Sequence, residues 1–175
     1  MQTSLRRIAN KAAQNKTHRF QNLYSLLNAS NLYWCWRFIN KKSASGVDRV
    51  SASDYEVNLN SNTESLAHSV KRGWYQAKLV LRKYIPKLNG KMRPLGIPAI
   101  SDKLLQIAVK KILESIYEED FYPNSYGYRP RTGAHKAIKD LSAELRDSQY
   151  NFVVEVDIKG FFDSKRSISV QISPT

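Results

Sequence analysis

Apolar residues recur at helical spacing from the start of the chain. Leu5, Ile8 and Ala12 form one stripe, and Phe20, Leu23, Tyr24 and Leu27 a second, so the first forty residues are predicted to be helical. The stretch KKSASGVDRVSASDY, residues 41–55, interrupts this pattern with Ser, Gly and Asp and reads as a loop. Helical spacing returns over 63–75 through Leu66 and Val70 and ends near Gly73. The period then changes to that of strands. A β-rich arm over 79–86 and a second over 92–97 are joined by Asn89-Gly90, a pair that tolerates the positive φ angles of a tight hairpin turn. Pro86, Pro94 and Pro98 cannot donate to a ladder, which predicts short or edge strands. Ser101 is read as the N-cap of the next helix, with Asp102 in its first turn. Leu104, Leu105, Ala108, Ile112 and Ile116 give that helix an apolar stripe. The loop YPNSYGYRPRTG precedes a last helix through Ala134, Ala137, Ile138, Leu141 and Leu145. Residues 152–158, FVVEVDI, read as a buried strand with Asp157 near its end.

Charge changes the picture most. The 175 residues carry 28 Lys and Arg against 15 Asp and Glu, a net +13. The excess is concentrated: Asp48 is the lone acid in residues 1–49, and residues 71–93 hold no acid at all. Such a distribution suits a solvated basic surface, a membrane-surface patch or a polyphosphate partner. Aromatic residues interleave with the cations in KRGWYQAKLVLRKY, as stacking platforms for bases do, and this favours nucleic acid. The residues expected on that track are Arg6, Arg7, Lys11, Lys71, Arg72, Lys78, Arg82 and Lys83.

The apolar fraction of 42% suits a globular chain, and no apolar run approaches the length of a membrane span. The first sixteen residues lack the apolar centre of a secretory signal; their basic, acid-free character leaves an organellar presequence as the minor alternative to a cytoplasmic location. Cys35, the single cysteine, excludes an intrachain disulfide and reads as a small core residue in a reducing compartment.

Candidate chemistry centres on two segments. On the 152–158 strand, alternation places Val153, Glu155 and Asp157 on one face. A carboxylate there is either a structural ion-pair partner or cap, or a magnesium ligand shared with substrate phosphates. Glu155 is about 6.5–7 Å along the same face and would reach such an ion only through water. In the hairpin, Lys87 and Arg93 flank the turn and could grip a triphosphate, Lys as a point charge and Arg as a fork; a solvated turn is the plain alternative. Arg129 and Arg131 are phosphate ligands or members of a surface loop on the same grounds. His18, His68 and His135 lack ligand spacing.

The segments YIPKLNGKMRPLGIP, DKLLQIAVKKILESIYEEDFYPNSYGYRP and VVEVDIKGFFD, in this order and spacing, resemble group II intron-encoded reverse transcriptases, or maturases. SGVDRVSASDYE is similar to the segment before the fingers in that family, so the resemblance spans about residues 45–163 of this chain. It implies an α+β fold comprising the fingers and the start of the palm of a right-hand polymerase. Residues 1–44 would form a basic helical extension, 45–150 the fingers with the hairpin at 79–97, and 151–163 the first palm strand.

It further implies an RNA-directed DNA polymerase that binds intron RNA, a template and primer, and a deoxynucleoside triphosphate, with Mg²⁺ as cofactor. Asp157 and the Ile158 carbonyl would hold metal. Lys87, Arg93 and Arg129 would contact the nucleotide, and Phe162 would reject a ribose 2′-hydroxyl. The family's Tyr-Ala-Asp-Asp box, which carries further metal carboxylates, finds no match. SKRSISVQISPT, residues 164–175, also departs from the family and is expected to be disordered. The departure leaves three readings: a truncated polymerase inactive alone, a non-catalytic RNA-binding module, or a functionless remnant. An unpaired palm edge would favour self-association.

Overall fold

The computed structural model describes residues 1–86, 90–147 and 152–158. They fall into two compact units, Met1–Tyr122 and Pro123–Thr175.

The first unit is built on helices. Helix α1 (Gln2–Gln14) turns Leu5, Ile8, Ala9 and the buried Ala12 inward, the i, i+3, i+4, i+7 spacing of a helix covering a core, and packs on α5 (Ile100–Tyr117). The second predicted stripe does not form one helix. Asn15 ends α1, and its side-chain oxygen accepts from the Thr17 amide at 3.1 Å, which turns the chain. Asn22 takes a left-handed φ of 56°, and only a 3₁₀ turn, Leu23–Leu26, precedes α2 (Ala29–Cys35). Helix α2 begins where Asn28 accepts from the Asn31 amide at 3.0 Å. A 3₁₀ turn, Trp36–Phe38, follows.

The 41–55 loop is shorter than its composition predicts, because Ser51 starts a helix. Its hydroxyl accepts from the Asp54 amide at 3.1 Å while the Asp54 carboxylate accepts from the Ser51 amide at 3.0 Å, a reciprocal capping box that opens α3 (Ala52–Val57). Helix α4 (Leu59–Lys71) buries Thr63 and Leu66. Leu32, Cys35, Trp36, Ile39, Ala52, Tyr55, Leu66, Ile100, Leu104 and Ala108 form the core. Cys35 is buried as expected, and burial pushes its thiol up to about 11, so the sulfur is an inert apolar filler.

Strands β1 (Leu81–Pro86) and β2 (Met92–Ile97) form a two-stranded antiparallel sheet with Leu81 opposite Ile97 and Pro86 opposite Met92. The first arm is two residues shorter than the predicted one, and Gly90 has a φ of +76°. Except at the Leu81–Ile97 end, every residue of the ladder is exposed, so the hairpin projects from the helical core with both faces in solvent.

The start of α5 fixes the direction of that projection. The helix begins at Ile100 with Ala99, not Ser101, at the N-cap position. Asp102 is 4% exposed, and instead of serving only the helix dipole it accepts hydrogen bonds from the Tyr75 hydroxyl and from the Lys78 amide. Next to it, Lys103 donates to the Ser43 hydroxyl at 3.1 Å and the Ala44 carbonyl at 2.6 Å. Lys78 and Asp48 close the triangle with a 2.9 Å ion pair. The loop before α3 comes so close that a Cβ on Gly46 would lie 2.6 Å from the Ala99 Cα and nitrogen.

In the second unit, α6 (Ala134–Asp147) follows the loop 123–133. Tyr126 donates to Asp140 at 2.6 Å, and the Thr132 hydroxyl donates to the Tyr126 carbonyl at 2.9 Å, folding the loop back on the helix. The predicted apolar stripe is present, yet Ile138, Leu141 and Leu145 are exposed. The predicted strand at 152–158 is not formed. These residues have no regular secondary structure, and Phe152, Val153, Val154, Val156 and Ile158 are 63–89% exposed. Strand formation needs a neighbour to take its backbone hydrogen bonds, and the only sheet among the described residues is the β1–β2 pair. Residues 164–175, expected to be disordered, lie outside the described residues.

Two outcomes follow for stability. Gly46→Ala forces a Cβ against backbone, not against a pliable side chain, and is expected to cost about 1–3 kcal/mol in chemical denaturation. Tyr75→Phe removes a hydrogen bond to a buried carboxylate and is expected to cost about 1.5–3 kcal/mol. Burial first, then the Asp102 hydrogen bond and charge, push the Tyr75 phenol up, and burial pushes Tyr55 up to about 12. Both phenols are therefore held protonated by the fold. Their contribution is intact below the ordinary phenol value of about 10 and is lost as pH rises above it. A denaturation series between pH 8 and pH 11 should show stability falling only in its upper part, and less steeply in Tyr75→Phe.

Candidate nucleic-acid interface and catalytic residues

The C-terminal end of α4 is where the sequence-predicted basic track takes a defined shape. Gly73 adopts a φ of +70°, its amide donates to the Val70 carbonyl at 3.1 Å, and the Trp74 amide donates to the Ser69 carbonyl at 3.0 Å. This paired closure ends the helix and sets the direction of Trp74. The indole is 69% exposed, lies edge-on to His68 with ring centres 6.0 Å apart, and has the Arg72 guanidinium 5.7 Å from its ring centre. Lys71 and Arg72 are exposed and enter no ion pair among the described residues. Cations flanking an open aromatic ring can neutralise phosphate and stack a base at adjacent points.

The other predicted cations divide by element. Arg6, Arg7 and Lys11 lie on the exposed face of α1, opposite the stripe that packs on α5. Lys78 is exposed but paired within the protein, its ammonium on Asp48 and its amide on Asp102. Pleat alternation sends Arg82 and Lys83 to opposite faces of the hairpin. Register puts Lys83 on the face that carries Arg93, because Lys83 pairs with Leu95 and Ile85 with Arg93; Arg82 shares the other face with Tyr84. One nucleic-acid strand lying on one face therefore meets one of the two. Sequence reasoning treated them as one track because it had no register.

Arg93 is exposed on β2. Lys87 and Phe162 lie outside the described residues, as does Asn89 of the turn. In the second unit, Arg129 donates to the Ser125 carbonyl at 2.8 Å, within a loop where Tyr128 and Arg131 hold left-handed φ angles of 58° and 60°. Two non-glycine residues in that conformation within four positions mark a backbone held by its surroundings. Tyr126, at the base of the loop, has its phenol pushed up by the hydrogen bond to Asp140. Asp157 and Ile158 are exposed in the same unit.

A magnesium centre requires several oxygen ligands converging on one point. No group of three or more His, Cys, Asp or Glu side chains gathers among the described residues. The described residues thus supply one candidate ligand side chain, Asp157, and do not by themselves build the metal site. Among these residues no helix is long and apolar enough to cross a membrane.

The residues that sequence reasoning missed are structural supports. Asp102 and Lys103 anchor the segments on either side of α3 and α4, and their partners lie 24 to 60 positions away. The Ser-x-x-Asp pattern at 51–54 was the one local signal that could have located the start of α3.

Comparison with known proteins bears on the same segments. Residues 85–166 match the family described as Reverse transcriptase (RNA-dependent DNA polymerase), from the last two residues of β1 through β2, α5, α6 and Asp157. The group II intron-encoded protein LtrA of Lactococcus lactis is 37% identical over 163 residues, 91% of this chain and 27% of LtrA. Protein YkfC of Escherichia coli is 38% identical over 122 residues, 68% of this chain and 32% of YkfC. The putative COX1/OXI3 intron 1 protein of Saccharomyces cerevisiae is 30% identical over 99 residues. The chain spans about a third or less of the length of these relatives. Reverse transcriptases act on nucleic-acid templates and generally use divalent metal ions. The family match takes in β2, the loop carrying Arg129 and the segment carrying Asp157, and a similarity of 163 residues is to an intron-encoded protein; over these residues the chain is similar to group II intron-encoded reverse transcriptases and matches part of a reverse-transcriptase domain.

Proposed function

We propose that this chain supplies the RNA-gripping and nucleotide-facing part of an RNA-directed DNA polymerase that also binds its intron RNA and supports splicing and mobility. The observation that carries the reading is the exposed Lys71–Arg72–Trp74 group in a chain of net charge +13. In this reading Arg93, Lys87 and Arg129 contact the triphosphate of the incoming deoxynucleotide. Phe162 screens its sugar, and Asp157 with the Ile158 carbonyl contributes to a Mg²⁺ site completed by carboxylates from elsewhere in the enzyme. Carboxylate oxygens and substrate phosphates are the ligands Mg²⁺ prefers. A free, buried Cys35 supports a reducing, cytoplasmic setting.

A second reading, a non-catalytic RNA-binding module, rests on the exposed basic and aromatic group at the end of α4 alone. Both readings require RNA binding, and only the first requires chemistry.

Filter binding of the 175-residue chain to single-stranded RNA at graded salt is expected to give a log–log slope of about −0.7 per neutralised phosphate. Replacing Lys71, Arg72, Arg82 and Lys83 by Ala should weaken binding and flatten that slope by about 0.7 for each phosphate no longer neutralised. Affinity indifferent to salt and to these changes would reduce the track to a solvated surface. In primer extension on an RNA template, the isolated chain is expected to incorporate no nucleotide, since both the attacking and the leaving oxygen need metal charge. Template-dependent incorporation abolished by Asp157→Asn would overturn that expectation.

A further inference from the structure

The cations at the end of α4 account for phosphate contacts but not for the cavity beside them. The 3₁₀ turn Leu23–Leu26, the start of α2 and the last turns of α4 enclose about 300 Å³, the low end of the range for small-ligand sites. Leu27, Ala67 and the ring of Tyr24 make part of its lining apolar, and Asn22, His68 and Lys71 also line it. None of the residues lining it is acidic. Among the described residues, the side chains of Asn22, His68 and Lys71 and the Tyr24 hydroxyl enter no hydrogen bond or ion pair with the protein, so their hydrogen-bonding capacity is free for a guest. Tyr24 is 47% exposed, leaving its ring accessible. His68 also lies edge-on to the exposed Trp74, with ring centres 6.0 Å apart, so the cavity adjoins the indole platform and the Arg72 guanidinium.

We propose that this cavity receives one unstacked base of a single-stranded RNA. The base packs against Tyr24, Leu27 and Ala67, and its polar edge meets Asn22 and His68. The adjoining phosphate lies on Lys71, and the next base stacks on Trp74. A partly apolar cavity of this size with Lys71 at its wall and no acid in its lining is complementary to a base and its anionic backbone together. The proposal rests on the RNA-binding reading and adds a site that distinguishes base from backbone.

The test compares an eight-residue oligouridylate with an eight-residue abasic oligoribonucleotide of equal charge, both bound to the 175-residue chain across a salt series. The native chain is expected to hold the oligouridylate about a hundredfold more tightly, about tenfold from each of two stacked bases, with equal salt slopes for the two. Tyr24→Ala and the cavity-filling Ala67→Leu should each reduce that preference to about tenfold, the share of Trp74, while leaving abasic binding and both slopes at native values. Tyr24 is half exposed, so Tyr24→Ala carries the test should Ala67→Leu fail to fold, as judged by its unfolding transition. Equal, salt-dependent binding of both oligomers by the native chain would overturn the base site and leave the RNA-binding reading standing. A preference undiminished in both variants would overturn the cavity and assign base contact to Trp74 alone. Binding of neither oligomer would overturn the two readings together.

Discussion

A single buried carboxylate organises the first unit. Asp102, at the start of α5, accepts from the Tyr75 hydroxyl and the Lys78 amide, and so ties the segment that leaves α4 to the helix at the centre of the core. Without those donors the carboxylate would be buried unpaired, at a cost of several kcal/mol, so the segment has one favoured position. Lys103 and Gly46 fix the loop on the other side of the same helix end, and the Lys78–Asp48 pair joins the two. Strand β1 begins three residues after Lys78, so whatever holds Lys78 aims the hairpin. The hairpin itself buries almost nothing and cannot choose its own direction. Its Arg93 is therefore positioned by contacts made at the base of the ladder, not along it.

Elements whose signal is local were legible in the sequence. Helices α1, α4 and α5 show the spacing of their inward residues directly, and the two hairpin arms announce themselves through β-rich runs around Asn-Gly. The stripe from Phe20 to Leu27 has equally good spacing and is mostly not helix, because the Asn15 side chain satisfies a backbone amide and Asn22 turns the chain through a left-handed φ before a helix can propagate. Ser101 has the right chemistry for a cap but stands one residue inside α5, which starts at the backbone pressed by Gly46. Asp102 was visible as a first-turn acid; its role depends on Tyr75, 27 positions away, and no window of sequence contains both in a recognisable pattern. The 152–158 segment shows the opposite limit. Alternation announces a strand, yet a strand exists only with a neighbour, and alternation cannot supply one.

The same distinction separates the legible from the hidden part of the candidate interface. Clustering of Lys and Arg over 71–93 was plain, and the exposed group at the end of α4 realises it. Which cations remain available was not plain. Lys78 is consumed by Asp48, and Arg82 and Lys83 are divided between two faces by the pleat. A count of charges overstates the surface that one strand of nucleic acid can meet.

The placement of the aromatic residues makes the molecule its own optical instrument. Of its three tryptophans, Trp36 is 5% exposed, stacked on Tyr55 and covered by the Lys41 ammonium 3.3 Å from its ring centre, whereas Trp74 is 69% exposed beside Arg72. An anionic collisional quencher such as iodide is drawn to the cations around Trp74, and caesium is repelled from them; Trp36 is shielded from both by burial. With Trp34, half-buried beside Arg37, replaced by Phe, comparing the two quenchers separates light emitted at the end of α4 from light emitted in the core. Events on the basic surface and the integrity of the fold can thus be followed in one sample without any label.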